Sequence, residues 1–199
     1  MKKIVDGRGL ACPQPVIRTK NALEEGKFSE LEVIVDNNPA SQNVQRFAEN
    51  MGNTVTEILQ KAGNYHVIIK TDSKVVEKIE KNKPKISCPD AKIIFISSNI
   101  LGKGSQELGA LLMKSFLYTL TQLQCKPKKL ILMNSGVKLA VQGSEALANL
   151  QTLQKDLQIL VCGTCLDYFG LKDKLAVGSV SNMYEIAENL TGPDKVLTL

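Results

Sequence analysis

The chain has no tryptophan, one histidine, four tyrosines and five phenylalanines among 199 residues. Because single-stranded nucleic acid is usually bound by stacking bases on aromatic rings, this shortage argues against an RNA-binding platform. No apolar run approaches the roughly 20 residues of a membrane-spanning helix. Asp6 and Arg8 interrupt the N-terminal segment before the apolar stretch of a signal peptide develops. We therefore expect a cytoplasmic protein that binds neither a membrane nor nucleic acid.

Much of the net charge of +5 lies between residues 74 and 85, where lysines are mixed with valine, isoleucine and glutamate. We interpret this stretch as solvated rather than as a nucleic-acid patch. Pro84 and Pro89 then interrupt any helix, because proline lacks an amide donor and restricts the residue before it. The sequence therefore predicts two domains, residues 1–72 and 91–199, joined by a Lys- and Pro-containing linker at 73–90.

The first domain alternates short β-rich and helical segments, and a Gly63-Asn64 pair signals a hairpin near its end. The βαβαββ order predicts a two-layer sandwich in which both helices cover one face of a four-stranded sheet. The predicted strands are 3–6, 31–36, 53–60 and 65–71, and the predicted helices are 13–25 and 40–51.

The second domain begins with a near-continuous apolar run at residues 91–98, which is typical of a strand buried on both faces of a parallel sheet. Alternation of strands and helices then predicts a three-layer α/β domain with helices on both faces of that sheet. Further strands are predicted at 129–133, 158–162, 174–177 and 196–199, and helices at 105–124, 144–156 and 183–189.

Cys12 lies in the segment 9–15, GLACPQP. Proline is favoured at the first helical position, so Pro13 predicts that a helix begins there and that Cys12 is its N-cap. The positive end of the helix dipole favours an anion, so we expect the pKa of Cys12 to fall. Pro15 stiffens the same turn. The alternative is that Cys12 is a small inert residue buried before a helix.

A thiolate at a helix start is suited to attacking sulfur and holding an extra sulfur as a persulfide. Arg8 and Arg18 are available to add positive potential. The single histidine, His66, falls in a predicted strand, and no resolving cysteine stands beside Cys12. A Cys/His hydrolase is therefore disfavoured.

Cys162 ends the third predicted strand of the second domain and Cys165 follows it, at the sheet edge where open α/β domains bind ligands. A CxxC pair fits a redox site, half of a zinc site or two packed cysteines. Zinc is disfavoured because two further ligands are hard to find. We expect a helix to begin within 166–169 after a turn at Gly163, so that Cys165 resolves a persulfide or disulfide on Cys162.

The turn at residues 102–105, GKGS, is expected at the same sheet edge. It matches neither the P-loop nor the GxGxxG pattern, so a helix entrance capped by Ser105 is the simpler interpretation. An anionic ligand there stays an alternative. Residues 134–137 end the second strand and are expected to line the same cleft.

Segment 9–15 followed by Val16 resembles the CPxP signature of the TusA/SirA-like family, and the predicted fold order of residues 1–72 agrees with that family. This resemblance implies that Cys12 carries a persulfide, receiving sulfur from a cysteine desulfurase or rhodanese-like donor and passing it to an acceptor protein. Residues 91–199 resemble the DsrE/DsrF-like (YchN-like) family, which implies a sulfur-accepting role for Cys162 and a homo-oligomer through this domain. The combination resembles the YedF family, which is linked to selenium metabolism.

We therefore expect a sulfurtransferase-like carrier of sulfur or selenium, with a persulfide on Cys12 and relay to Cys162, aided by Cys165. The only cofactor expected is the transient persulfide or selenium adduct on cysteine, with no metal. Two alternatives stay open. One is a thiol-disulfide oxidoreductase that uses Cys162 and Cys165, with the first domain as a docking module. The other is a non-catalytic regulator or adaptor.

Overall fold

The structure is a computed structural model that describes residues 1–26, 28–71 and 92–199. The chain divides into two compact units, Met1–Lys85 and Ile86–Leu199. The predicted linker at 73–90 lies outside the described residues, so the predicted domain bounds stay a prediction. Among the helices that are described, none has the length and apolar character needed to span a membrane.

The N-terminal unit has the predicted βαβαββ order. Its sheet runs β1-β2-β4-β3, with β1 parallel to β2 and the other pairs antiparallel. This confirms the two-layer sandwich. The elements are β1 (Lys2–Asp6), α1 (Gln14–Glu25), β2 (Glu30–Val35), α2 (Asn38–Asn50), β3 (Thr54–Lys61) and β4 (Asn64–Lys70).

The core of this unit lies between the sheet and the two helices. Leu31, Val33 and Val35 of β2 are fully buried, and the residues between them are only partly buried, as the alternation of a strand requires. They pack with Val44 of α2 and Leu23 of α1 in one cluster. Because β1 and β2 are parallel, the chain leaves both strands at the same edge, so α1 and α2 begin side by side over that edge.

The hairpin between β3 and β4 turns at Ala62 and Gly63, the centre of the connection predicted at 61–64, which the Gly63-Asn64 pair signalled. Both residues have positive φ, 49° and 78°. Two successive positive φ angles are the mark of a two-residue turn whose twist matches that of the flanking strands. The predicted hairpin and its connection are therefore confirmed.

The second unit is built on a five-stranded sheet that is parallel throughout. The elements are β5 (Lys92–Ile96), α3 (Gln106–Gln122), β6 (Lys129–Leu132), α4 (Leu147–Leu153), β7 (Gln158–Cys162), α5 (Gly163–Tyr168), β8 (Ser179–Ser181), α6 (Met183–Thr191) and β9 (Lys195–Thr198), with 3-10 helices at Asn134–Ala140 and Lys172–Lys174.

The strand order β8-β7-β6-β5-β9 places the last strand beside the first. The connection into β9 therefore runs opposite to the earlier ones, and right-handed crossovers put α6 on the other face from α3, α4 and α5. Consecutive residues Ile93 and Ile94 are 0% and 5% exposed, as expected for a strand covered on both faces. The predicted three-layer α/β architecture is confirmed.

Two elements of the second unit differ from prediction. The strand expected at 174–177 is wrong, because the amides of Ala176 and Val177 both donate to the carbonyl of Ala140 instead of a sheet ladder. The strand that joins the sheet comes later, after Gly178 with φ of 85°. The helix expected at 144–156 is shorter and spans only Leu147–Leu153. The residues before it form a turn, in which the hydroxyl of Ser144 accepts the amide of Ala146.

Candidate functional site

Cys12 is an exposed residue one position before the N-cap of α1. The expectation that Cys12 is itself the N-cap is wrong: Pro13 holds that position, and its carbonyl accepts the amide of Ile17 at 3.1 Å. Pro15 is the second helical residue and is buried. The amide of Gln14 donates to the carbonyl of Ala11 at 2.9 Å, which closes a turn around Cys12.

A cavity of about 150 Å³ adjoins Cys12. Two helix starts form its walls, with Pro15 and Val16 on the α1 side and Asn37 and Pro39 on the α2 side. The helix dipole places a partial positive charge at each helix start. The exposed thiol therefore lies beside two helix N-termini.

Asp36 ties the loop that carries Cys12 to the start of α2. Its Oδ2 accepts the amide of Gly9 at 2.7 Å, and its Oδ1 accepts Nδ2 of Asn37 at 2.8 Å. Asn37 in turn accepts the amide of Ala40 at 2.9 Å and so caps α2. The Gly9 amide, followed by Asn37, holds the pKa of Asp36 below its usual 3.8. Sequence reasoning missed Asp36 and Asn37, although Asp36 ends a predicted strand and Asn37 follows it.

Arg8 and Arg18 both brace the end of β1 at Asp6. Arg8 donates from Nε and Nη2 to the two carboxylate oxygens of Asp6, at 2.9 and 2.7 Å, and Arg18 donates to the carbonyl of Asp6 at 3.0 Å. The hydrogen bonds from Arg8 lower the pKa of Asp6 to about 2. The charge of Arg8 is therefore balanced by Asp6, and both arginines position the turn that leads to Cys12.

Gly7 makes this approach compact. A Cβ added there would lie 3.2 Å from the carbonyl oxygen of Ile34, 3.2 Å from Cγ1 of Val35 and 3.4 Å from Cβ of Pro15. The amide of Gly7 also donates to Ile34 at 2.8 Å. Only glycine lets the chain leave β1 this close to β2 without displacing a neighbour.

The second cysteine pair lies at the carboxyl end of β7. Cys162 is the last strand residue and is 1% exposed, whereas Cys165 on α5 is partly exposed. The helix begins at Gly163, three residues before the predicted start at Leu166, so that expectation is wrong. The close approach of β8 explains the turn, because a Cβ on Gly163 would lie 2.9 Å from Cγ1 of Val180.

Cys165 has two neighbours that affect its thiol. Burial, and then a hydrogen bond with Cys162, raise the pKa of Cys165, while the amide of Asn134 lowers it. That amide donates to Sγ of Cys165 at 3.1 Å. Asn134 adopts the left-handed region, with φ of 47°, at the start of the 3-10 helix that follows β6. The structure thus brings one residue of the predicted 134–137 segment to the cysteine pair.

The turn at 102–105 lies at a different cavity. Ser105 caps α3, accepting the amide of Leu108 at 3.2 Å, as predicted. It lines a cavity of about 740 Å³ together with Lys138 and with Lys114, which pairs with Glu145 at 2.8 Å. Cys162 and Cys165 do not line this cavity.

In the described ranges, no group of three or more His, Cys, Asp or Glu side chains is arranged to hold a metal.

Comparison with known proteins identifies the family of the first domain. The sequence profile described as sulfurtransferase TusA matches residues 3–71. A protein of Methanocaldococcus jannaschii, whose name describes it as a sulfur carrier protein, is 46% identical over 71 residues, which cover 93% of that protein and 35% of this chain. The chain belongs to the TusA family. The sulfur carrier protein TusA of Allochromatium vinosum is 30% identical over 67 residues, or 88% of its length and 33% of this chain.

Two crystal structures are also similar to parts of this TusA-family chain. The SirA-like protein of Desulfitobacterium hafniense is 42% identical, with 97% of that chain and 36% of this one aligned and a TM-score of 0.32. The YchN protein of E. coli is 22% identical, with 99% of that chain and 55% of this one aligned and a TM-score of 0.39. The TusA profile match ends at residue 71, and the sulfur-carrier role it supports applies to the N-terminal unit.

Proposed function

We propose that this TusA-family chain carries sulfur as a persulfide on Cys12. The observation that carries the proposal is an exposed cysteine beside the starts of α1 and α2, on a loop that Asp36 fixes to α2. In the loading step the Cys12 thiolate attacks the outer sulfur of a donor persulfide. A Cys12 persulfide forms and the donor leaves as a thiolate.

The donor class we propose is a cysteine desulfurase or a rhodanese-like protein, both of which present a persulfide on a protein side chain. The cavity beside Cys12, at about 150 Å³, is smaller than the pockets that usually hold free small molecules. An exposed thiol beside a small cavity suits exchange with a cysteine offered by another protein. A thiol of this kind also needs a reducing compartment, which supports the cytoplasm as its location.

We extend the proposal to the second domain as a DsrE-like acceptor of this sulfur, with domains at 1–72 and 91–199 and a linker at 73–90. Its support is a five-stranded parallel sheet with Cys162 and Cys165 at the carboxyl end of β7. Carrying both sites on one chain makes their exchange intramolecular wherever the sites can meet. A selenium adduct on the same thiols, as the YedF resemblance implies, is part of this proposal.

A thiol-disulfide oxidoreductase is the second candidate, and the position of Cys162 and Cys165 within one turn at the start of α5 favours it. The two candidates differ in the cysteine that they require. The carrier depends on Cys12, whereas an oxidoreductase keeps its activity when Cys12 is replaced.

Loading by a cysteine desulfurase with L-cysteine distinguishes the sulfur carrier from the oxidoreductase. Intact mass spectrometry of the wild type and of Cys165→Ser, the matched control, is expected to show an added mass of about 32 Da for each transferred sulfur. Peptide mapping is expected to find that sulfur on the peptide of residues 9–18 in both proteins. A serine that replaces a cysteine should carry no added sulfur. Equal loading of wild type and Cys12→Ser would overturn the carrier proposal.

A further inference from the structure

We infer a further activity for the second domain: Cys165 accepts a sulfane sulfur, and Cys162 then displaces it as hydrosulfide, leaving a Cys162–Cys165 disulfide. The inference deepens the proposed relay and rests on it for the natural persulfide donor. It reverses the order expected from the sequence, in which Cys162 accepts sulfur and Cys165 resolves it.

The two thiols differ in access. Cys162 is 1% exposed and belongs to the main hydrophobic core of the unit, whereas Cys165 only packs against that core and keeps part of its surface in solvent. An incoming persulfide therefore reaches Cys165 first. Attack on a sulfur requires direct approach of the thiolate, so access decides which cysteine accepts.

A fixed donor faces the accepting sulfur. The amide of Asn134 donates to Sγ of Cys165 at 3.1 Å, and Gly136 holds the 3-10 helix that begins at Asn134 against β5. A Cβ on Gly136 would lie 2.4 Å from the carbonyl oxygen of Ile96, so this packing depends on glycine. A hydrogen bond to the sulfur favours its anionic form, but burial and then Cys162 outweigh it and leave the pKa of Cys165 above its usual value.

Cys162 is placed to act second. Cys162 is the residue before α5 and Cys165 is the third residue of that helix, so the two side chains lie within one helical turn, and Gly163 between them is pressed against Val180 and Ser181 of β8. A buried thiol held against its neighbour reacts poorly with an outside donor. It is well placed to attack a sulfur that the neighbour carries, because the reaction is then intramolecular.

The two steps balance without an outside oxidant. The Cys165 thiolate first attacks the outer sulfur of a persulfide, which leaves a donor thiolate and a Cys165 persulfide. The Cys162 thiol then attacks Sγ of Cys165, and hydrosulfide leaves with the proton that Cys162 gives up. Two thiols are oxidised to a disulfide, and the sulfane sulfur is reduced by the same two electrons. A dithiol reductant returns the pair to its starting state.

The test uses the full chain with Cys12→Ser, so that it does not depend on the carrier proposal. Glutathione persulfide is the probe, and a chain that also has Cys162→Ser and Cys165→Ser sets the background. The tryptic peptide 156–172 contains both cysteines. We expect hydrosulfide release above background and a loss of about 2 Da from this peptide as the disulfide forms.

Single replacements of the pair then separate the two roles. With Cys162→Ser, hydrosulfide release should fall about tenfold towards background and an added mass of about 32 Da should stay on Cys165. With Cys165→Ser, the peptide should stay unmodified. If the serine variant unfolds, Cys162→Ala is used in its place, because alanine keeps a small apolar group in the core. It should show the same loss of hydrosulfide release and the same added mass on Cys165.

Two outcomes would overturn the inference. One is a persulfide that accumulates on Cys162 when Cys165 is replaced. The other is hydrosulfide release at the wild-type rate without Cys162. Neither outcome bears on loading at Cys12, which is measured separately with the desulfurase.

Discussion

The amide of Gly9 donates a hydrogen bond to Oδ2 of Asp36 at 2.7 Å. This contact joins the loop after β1, which carries Cys12, to the loop after β2, which carries the cap of α2. It exists because β1 and β2 are parallel neighbours and deliver both loops to one edge of the sheet. The position of Cys12 therefore depends on a carboxylate that lies 24 residues further along the chain.

Replacing Asp36 by Asn tests this dependence. The amide variant keeps the size of the side chain but loses the charge that strengthens the bond to Gly9. We expect the rate of persulfide loading on Cys12 to fall about fivefold, because the thiol is less well positioned. Glu57→Gln, an exposed neutralisation on β3, is the matched control and should load at the wild-type rate. Equal loading rates for Asp36→Asn and Glu57→Gln would show that Asp36 does not position Cys12 for loading.

The relative access of Cys12, Cys165 and Cys162 predicts the order in which these three thiols are alkylated. Cys12 is exposed, Cys165 is partly exposed and Cys162 is buried. Iodoacetamide should therefore label Cys12 first, Cys165 more slowly and Cys162 only after denaturation. Time-resolved peptide mapping of the native chain measures this order. Labelling of Cys162 ahead of Cys165 would contradict the arrangement at the end of β7.

Glu32 predicts a pH dependence of stability. Hydrogen bonds from Lys2 and then His66, whose Nδ1 lies 2.7 Å from Oε1 of Glu32, hold the pKa of Glu32 below its usual 4.5. A lowered folded-state pKa means that the carboxylate stabilises the fold above pH 4.5 and that this stability is lost as pH falls through the folded-state value.

Glu32→Gln should therefore lower the free energy of unfolding at neutral pH by on the order of 1 kcal/mol. The difference from the wild type should shrink on acidification to about pH 3. Urea unfolding, followed through the amide NMR signals of β2 and β4, measures both values. If the difference in the free energy of unfolding grows on acidification, the Glu32 carboxylate does not stabilise the fold in its charged form.

Asn134 allows a test of the amide that faces Cys165. Asn134→Gly keeps both the backbone N–H and the left-handed conformation, whereas Asn134→Val disfavours that conformation because its side chain is β-branched. We expect Asn134→Val to slow alkylation of Cys165 about threefold, and Asn134→Gly to leave it near the wild-type rate. If both variants behave alike, the amide has no effect on the thiol.

Much of the fold was predictable because hydrophobic patterning is local. The apolar run at 158–162 became β7 with the same bounds, and the βαβαββ order of the first domain is confirmed. The strand expected at 174–177 failed for a tertiary reason. Its apolar residues are buried or partly buried, but the amides of Ala176 and Val177 donate to the carbonyl of Ala140, a contact that periodicity does not encode.

The candidate site was predictable in residue type but less so in geometry. The motif around Cys12 pointed to the right turn, yet Asp36 enters through the pairing of β1 with β2 and has no local signal near Cys12. The burial of Cys162 was also hidden, since a strand-end residue faces the core or solvent according to the packing of its neighbours.

The central claim is that Cys12 receives sulfur first. The most direct measurement follows sulfur from isotopically labelled cysteine, supplied through a cysteine desulfurase, into two tryptic peptides of a Cys162→Ser chain, in which sulfur that reaches Cys165 is retained. Label should appear in peptide 9–18 before peptide 156–172 and should be absent from both in Cys12→Ser. Label that enters peptide 156–172 first, or that reaches it unchanged without Cys12, would contradict the account.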